Sequence, residues 1–205
     1  MAASDKLPPD LKEFKIIFIK SKFIDKTVHT SFNQAYGGFS INQNIIITIE
    51  TWGGDANVAV KIGTTLLKHE GKVICYVPNY AFSGGTFIAL CCDKIVIGNR
   101  AKLSPCNTEL FFLSAKVDPD DAKDVISHVK MKDETIFEKI AAHHAISYPV
   151  SEKIFRFFFK QPHSLTFEFD KLKILGLDII SSNDLCRIET KYFENLRRFL
   201  ELKFS

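Results

Sequence analysis

The chain has 205 residues, of which 46% are hydrophobic and 25% are charged, a composition typical of one globular domain with a substantial core. Its net charge of +3 reflects 27 basic and 24 acidic residues without a sustained basic run, so nucleic acid is not an expected partner. Five cysteines without metal-type spacing predict a reduced, cytoplasmic protein, and no stretch reaches the roughly 18 apolar residues of a membrane span.

The composition along the chain predicts a single domain over residues 1–205. Residues 1–12 contain two prolines and no apolar run, which predicts a flexible N-terminus rather than a secretory signal. Residues 145–205 are predicted to form a helical C-terminal part, in which apolar stripes on Ser151–Lys160 and Tyr192–Phe204 serve packing or oligomerisation.

Strands and helices alternate through the first half of the chain. Glycines end several apolar runs, and the segment Lys20–Ser40 is polar with a turn at Gly37 and Gly38. This alternation predicts an α/β fold with a mostly parallel sheet and crossover helices. The predicted strands are Phe14–Ile19, Ile45–Ile49, Val73–Val77 and Lys94–Ile97, and the helix between the second and third is Ala56–Glu70.

Two glycine pairs follow strands and open helices. Gly53 and Gly54 come directly after the second strand, and Ser83 is followed by Gly84 and Gly85 after the third. Because the carboxyl ends of parallel strands share one edge of the sheet, the two pairs are expected to converge. Ser83 then presents its hydroxyl beside backbone N–H groups, although the same residues also suit a helix cap and two ordinary tight turns.

The residues between Pro78 and Gly98 carry a family resemblance. They read Pro-x-x-Ala-x-Ser-x-Gly-Thr-x-Ile-Ala-Leu-x-x-Asp-x-Ile-x-x-Gly, and they follow the strand, Gly-Gly, helix, strand order described above. This pattern resembles the serine dehydrogenase proteinase and signal peptide peptidase A group. The group belongs to the superfamily that also contains the caseinolytic protease subunit and crotonase. A second similar segment, Gln161–Asp178, lies near the C-terminus.

The resemblance implies a crotonase-like spiral of ββα units, with flanking helices and assembly into trimers or larger rings. It implies that Ser83 is a nucleophile and that the N–H groups of Gly54 and Gly84 form an oxyanion hole. Gly53, Trp52 and Asn107 correspond to substrate-binding positions. Two departures affect the groove: Trp52 replaces a common proline, and Leu103–Asn107 reads Leu-Ser-Pro-Cys-Asn instead of Leu-Gly-Pro-x-Asp.

A serine nucleophile needs a base to accept its proton. The resemblance implies a lysine on a later helix, here predicted over Pro119–Ala142, with Lys130 as the first candidate and Lys123 as the second. Either lysine also suits a solvated helix face. His143 and His144 suit a helix end, and His163 a surface position beside the groove; these three histidines lack the supporting carboxylate or cysteine spacing of a metal site.

The resulting hypothesis is a serine peptidase with a Ser/Lys dyad that acts on peptides or proteins and requires no cofactor or metal. A non-catalytic scaffold with the same fold is one alternative. The other is a crotonase-type acyl-thioester enzyme, for which no acid is evidently placed to transfer protons. Binding to a membrane surface through the apolar stripes is a less favoured use of those stripes than a subunit interface.

Overall fold

A computed structural model describes residues 13–107, 133–185 and 187–204. Its centre is a five-stranded sheet with the order β1-β2-β3-β5-β7, in which every neighbouring pair is parallel. A second, two-stranded parallel sheet pairs β4 with β6. The strands are β1 (Lys15–Lys20), β2 (Ile45–Glu50), β3 (Val73–Val77), β4 (Tyr80–Ala81), β5 (Lys94–Ile97), β6 (Lys102–Leu103) and β7 (Ile179–Ser181).

Helices connect these strands and cover both faces of the sheet. The first three are α1 (Lys26–Tyr36), α2 (Ala56–Leu67) and α3 (Gly84–Leu90). The later ones are α4 (133–143), α5 (Val150–Phe159), the short α6 (Phe169–Leu172) and α7 (Arg187–Phe204), with 3-10 turns at Lys173–Leu175 and Ser182–Asp184. In the described part of the chain, no helix combines the length and the apolar character needed to cross a bilayer.

Successive side chains along each strand point to opposite faces of the sheet, so the strands contribute to a core on each face. Ile45 and Ile47 point into the larger cluster, which includes the helices α2, α3, α4 and α5, whereas Ile46 points into the cluster on the opposite face. There, Phe193 and Leu196 of α7 pack with Tyr76. Both faces of the central strands are therefore buried, which explains their nearly continuous apolar sequence.

The α/β class with a parallel central sheet and flanking helices is confirmed. The strand predictions agree within one residue, but the polar segment Lys20–Ser40 contains α1, which the sequence analysis did not predict. Only Phe32 of α1 is fully buried, so the helix lacks a strong apolar stripe. Asp25 caps this helix by accepting a hydrogen bond from the Val28 N–H at 3.0 Å, a local signal that was available in the sequence.

Part of each C-terminal stripe packs inside the chain. Ile154, Phe158 and Phe159 of α5 are between 0% and 3% exposed, and Phe193 of α7 is 1% exposed. These four side chains therefore offer no surface to a second subunit, and oligomerisation stays a prediction. Of the predicted helix Pro119–Ala142, the residues before 133 lie outside the described chain, as do residues 1–12.

Candidate functional site

Ser83 lies in the junction between β4 and α3, where the sequence predicted it. Its backbone dihedral angles are φ 50° and ψ −116°, a conformation that residues with a side chain rarely adopt. Although Ser83 occupies the N-cap position of α3, its hydroxyl makes no capping hydrogen bond. Ser83 therefore does not act as a side-chain cap of α3, and its side chain is partly exposed.

Hydrogen bonds from β6 and α3 hold this turn. The Ser83 N–H donates to Ser104 Oγ at 2.8 Å, and the Ser104 N–H donates to Thr86 Oγ1 at 3.1 Å. The Thr86 hydroxyl in turn donates to the Ala81 carbonyl at 2.6 Å. Ser104 and Thr86 are 3% and 0% exposed, so these bonds are sheltered from water. The serine that departs from the family pattern at position 104 thus supplies the acceptor for the Ser83 N–H.

Gly53 and Gly54 approach the same turn from the end of β2. A Cβ atom built on Gly53 would lie 2.6 Å from Ser83 Cβ, so a side chain at position 53 would displace Ser83. Gly54 pairs with Ile24 in a parallel bridge, and a Cβ there would collide with the Ile24 backbone. Both glycines have positive φ, 98° and 146°. Close backbone approach, together with these angles, explains why glycine occupies both positions.

The backbone of Gly84 approaches the backbone N–H group of Gly54. A Cβ atom built on Gly84 would be 3.9 Å from the Gly54 nitrogen. Gly84 is the first residue of α3, so its N–H has no partner within the helix. Among the described residues, neither N–H donates to a protein acceptor. Two backbone donors without a protein partner beside the Ser83 hydroxyl have the composition that stabilises a developing oxyanion.

A small cavity of about 30 Å³ opens beside Ser83 and both donors. Asp133 at the start of the described α4 also lines it and is 8% exposed. Burial raises the pKa of the neighbouring Cys106 thiol well above its usual range, and the Asp133 carboxylate raises it further, so Cys106 stays protonated. The described residues that line the cavity are Gly54, Ala56, Ala59, Val60, Ser83, Gly84, Phe87, Cys106, Asn107, Asp133, Ile136 and Phe159.

His163 contacts a residue that lines this cavity. His163 Nδ1 lies 2.8 Å from Asn107 Oδ1, and Asn107 lines the cavity. An amide oxygen only accepts hydrogen bonds, so this assignment places the proton of a neutral imidazole on Nδ1. Burial lowers the pKa of His163, which favours the neutral form. Both residues stand out in the sequence, but their contact joins positions 56 residues apart, which spacing along the chain does not predict.

The other candidate bases lie elsewhere. His144 Nε2 is 2.9 Å from the Leu90 carbonyl at the far end of α3, and His143 Nε2 is 3.0 Å from Asp93 Oδ1. Both histidines therefore anchor the end of α4. Lys123 and Lys130 lie outside the described residues. The side chains described in the structure include none that hydrogen-bonds to Ser83 Oγ. Asp133 in the cavity was not predicted from the sequence.

Comparison with known proteins identifies a matching family and similar chains. A family model described as ClpP-like SDH-type serine proteinase matches residues 22–161, which include both glycine pairs and Ser83. Two uncharacterized proteins of Methanocaldococcus jannaschii, MJ0137 and MJ1495, are 41% and 35% identical to this chain over 66 residues. The matched segment covers 32% of this chain and only 23% of each relative.

Proposed function

Because the chain belongs to the ClpP-like SDH-type serine proteinase family, we propose that it is a serine peptidase with Ser83 as its nucleophile. The observation that carries this proposal is the Ser83 turn itself. Its strained backbone holds a hydroxyl that makes no capping bond, beside two N–H groups, those of Gly54 and Gly84, that donate to no acceptor among the described residues. An available hydroxyl and unpaired backbone donors are what acyl transfer uses. An ordinary helix cap requires none of them.

In the proposed reaction, the Ser83 oxygen attacks the carbonyl carbon of a bound peptide while a base takes the hydroxyl proton. The carbonyl oxygen becomes an oxyanion that accepts hydrogen bonds from the Gly54 and Gly84 N–H groups. Removing one such donor in a serine peptidase costs roughly 100- to 1,000-fold in rate. The tetrahedral adduct then collapses, the amine leaves with a proton, and water hydrolyses the acyl-enzyme.

We propose Lys130, or otherwise Lys123, as the base. An ordinary lysine has a pKa of about 10.4 and would need burial to lower that value by roughly 3 units to accept a proton near neutral pH. A peptide or protein substrate and a homo-oligomer, a trimer or larger ring, are proposed by extension from the family. Trp52, Gly53 and Asn107 are the proposed substrate contacts.

The test is covalent labelling of Ser83. An alkyl fluorophosphonate should label the intact protein, and Ser83→Ala should abolish labelling with little change in the unfolding free energy, because the hydroxyl makes no capping hydrogen bond that the substitution could remove. Lys130→Met and Lys123→Met identify the base, since methionine retains an apolar stem and cannot accept the proton. For the true base, labelling should collapse while the circular dichroism spectrum stays unchanged.

Two outcomes would contradict parts of this proposal. Labelling of both methionine variants at the parent rate would eliminate the lysine dyad and leave Ser83 with another base. A folded wild-type protein that resists labelling from pH 6 to pH 10 would instead indicate a scaffold that retains the peptidase fold without its chemistry.

Asp133 supports a second candidate function. A crotonase-type acyl-thioester enzyme uses two backbone donors and an acid, and Asp133 lines the cavity beside Gly54 and Gly84. This candidate needs no serine, so Ser83→Ala should preserve turnover of an acyl-thioester while Asp133→Asn abolishes it. Loss of turnover in Ser83→Ala would assign the reaction to the serine instead.

A further inference from the structure

Three aromatic side chains form a cluster beside the Ser83 turn. The ring centroids of Trp52 and Tyr80 are 5.6 Å apart, those of Trp52 and Phe82 are 5.8 Å apart, and those of Tyr80 and Phe82 are 5.3 Å apart. These separations lie within the range in which aromatic rings attract one another. The cluster of Trp52, Tyr80 and Phe82 is therefore an ordered surface with three mutual contacts.

The strand geometry turns this cluster outward. Thr51 pairs with Ala81 in a parallel bridge, and both residues are fully buried. Successive side chains along an extended chain point in opposite directions, so the neighbours of this pair face away from the core. Tyr80 and Phe82 are half-buried, whereas Trp52 is 57% exposed. The largest side chain of the cluster is thus the one most available to a ligand.

The cluster is continuous with the proposed reaction centre on both strands. Phe82 directly precedes Ser83, and Trp52 directly precedes Gly53, where an added Cβ atom would lie 2.6 Å from Ser83 Cβ. The cavity that Ser83 lines includes none of these three aromatic residues among its described lining and has about 30 Å³, which is room for one or two water molecules. A large side chain of a peptide held at Ser83 therefore finds apolar area on the aromatic cluster.

We propose that the Trp52, Tyr80 and Phe82 cluster binds an aromatic side chain of the peptide substrate next to the bond that Ser83 attacks. An aromatic ring gains from the cluster both by burying apolar area and by adopting offset or edge-to-face contacts. An alanine at the same position of the peptide gains neither. This inference rests on the proposed peptidase function for its substrate class and predicts selectivity within that class.

Trp52 is the only tryptophan in the chain, so its fluorescence reports directly on the cluster. The probes are two acetylated, amidated tetrapeptides, one with three alanines and one phenylalanine and the other with four alanines. They are titrated into the full-length Ser83→Ala protein. The phenylalanine peptide should shift the Trp52 emission to shorter wavelength and bind about tenfold more tightly than the alanine peptide. Equal binding of the two peptides, or no shift with either at millimolar concentration, would overturn the inference.

Variants localise the effect. Tyr80→Ala keeps the Trp52 reporter and should reduce the preference for the phenylalanine peptide at least threefold. Tyr148→Ala is the matched control, because Tyr148 is 75% exposed in the segment before α5 and contacts Glu152 instead of the cluster. It should leave the preference unchanged. Equal losses in the two variants would show that the preference does not come from the cluster.

Other occupants of the cluster give different signals. A blue shift that depends on protein concentration without peptide would assign the surface to a second copy of the chain. A shift with phosphatidylcholine vesicles but not with peptide would assign it to a lipid surface. Either result overturns the peptide assignment.

The same samples separate this inference from the proposed function. If the phenylalanine peptide binds but wild-type Ser83 resists fluorophosphonate, the proposed reaction fails and the binding site stands. If Ser83 is labelled but neither peptide is preferred, the reaction stands and the aromatic site is wrong.

Trp52→Phe should retain most of the selectivity in labelling, measured as the rate ratio between benzyl and methyl fluorophosphonates, and Trp52→Ala should lose it.

Discussion

Ser83 adopts a backbone conformation that an L-residue avoids, and its hydroxyl makes no compensating cap. A positive φ of this kind costs about 1–3 kcal/mol at a non-glycine residue, so the surrounding contacts must impose it. The Ser83 N–H is held by Ser104, and the Ser83 carbonyl accepts a hydrogen bond from the Phe87 N–H at 3.0 Å. The strain therefore resides in one residue, and hydrogen bonds fix the peptide groups on both sides of it.

Glycine at position 83 should relieve this strain. Glycine adopts φ 50° without a steric cost, although it adds entropy to the unfolded chain. We expect Ser83→Gly to exceed Ser83→Ala in unfolding free energy by about 1 kcal/mol, the low end of the strain released, as measured by urea denaturation. Arg100→Gly, at φ 62° in an exposed turn, is the matched control. Its gain in unfolding free energy should be smaller than the advantage of Ser83→Gly over Ser83→Ala. Equal stability of the two position-83 variants would show that the turn is not strained.

Gly53→Ala should damage both stability and reactivity. The new methyl group would overlap Ser83 Cβ at a backbone angle that alanine avoids, so we expect a loss of about 2 kcal/mol or more and a fall in labelling of at least tenfold. Gly38→Ala is the control, because a Cβ atom there would lie at an ordinary 3.6 Å from the Ala35 carbonyl oxygen. Thermal unfolding and labelling rates measure the two effects. A Gly53→Ala protein as reactive as the wild type would contradict the assigned contact.

At the scale of the elements, the crossing of α2 and α3 determines how closely the two glycine pairs approach. Gly54 lies just before α2, and Gly84 opens α3. Gly63 lies inside α2, and a Cβ atom there would be 2.6 Å from Phe87 Cε1 and 2.7 Å from Cys91 Sγ. The absence of a side chain at Gly63 lets α2 lie directly against α3 and brings the N-terminal ends of both helices together.

Gly63→Ala tests whether this close crossing matters. Alanine gains about 1 kcal/mol of helix propensity over glycine, but overpacking a core costs about 1–3 kcal/mol. We expect a net loss of about 1 kcal/mol in unfolding free energy. In a Phe87→Leu background, Gly63→Ala should lower the unfolding free energy by less than it does in the wild type, since the smaller leucine side chain frees space. A gain in stability from Gly63→Ala alone would mean that the helices can separate without cost.

The sequence predicted those elements whose signals are local. The runs of β2, β3 and β5 are apolar because both faces are buried, and turn glycines mark the Ser83 junction. The small β7 was not predicted, because three residues beside a 3-10 turn carry little periodicity. Asp133 in the cavity and the His163–Asn107 contact also escaped prediction. Both depend on how distant segments pack, which spacing along one chain does not encode.

At the scale of the whole molecule, two partly buried histidines couple folding to pH. Burial lowers the pKa of His144, although its contact with the Leu90 carbonyl opposes this, and burial also lowers the pKa of His163. As pH falls, the unfolded chain, whose histidines have pKa values near 6.5, therefore binds protons at a higher pH than the folded chain does. Stability is complete above that pH and declines as pH falls toward the lowered folded-state values.

We expect the unfolding free energy to fall between pH 7.5 and pH 5. The double variant His144→Gln and His163→Gln should flatten this decline, because glutamine keeps a donor toward Leu90 and Asn107 but does not titrate. Urea denaturation at half-unit pH intervals measures the slope. An unchanged slope in the double variant would show that other groups cause the acid sensitivity.

The cysteines in the described part of the chain are free and buried around α3: Cys75 in β3, Cys91 and Cys92 at the end of α3, and Cys106 beside the cavity. Burial raises the pKa of the Cys91, Cys92 and Cys106 thiols, so these groups react only after the surrounding structure opens. Their reaction with an alkylating reagent therefore reports on local unfolding. Their alkylation rates, read one cysteine at a time by mass spectrometry, would map how often the surroundings of α3 open while the rest of the molecule stays folded.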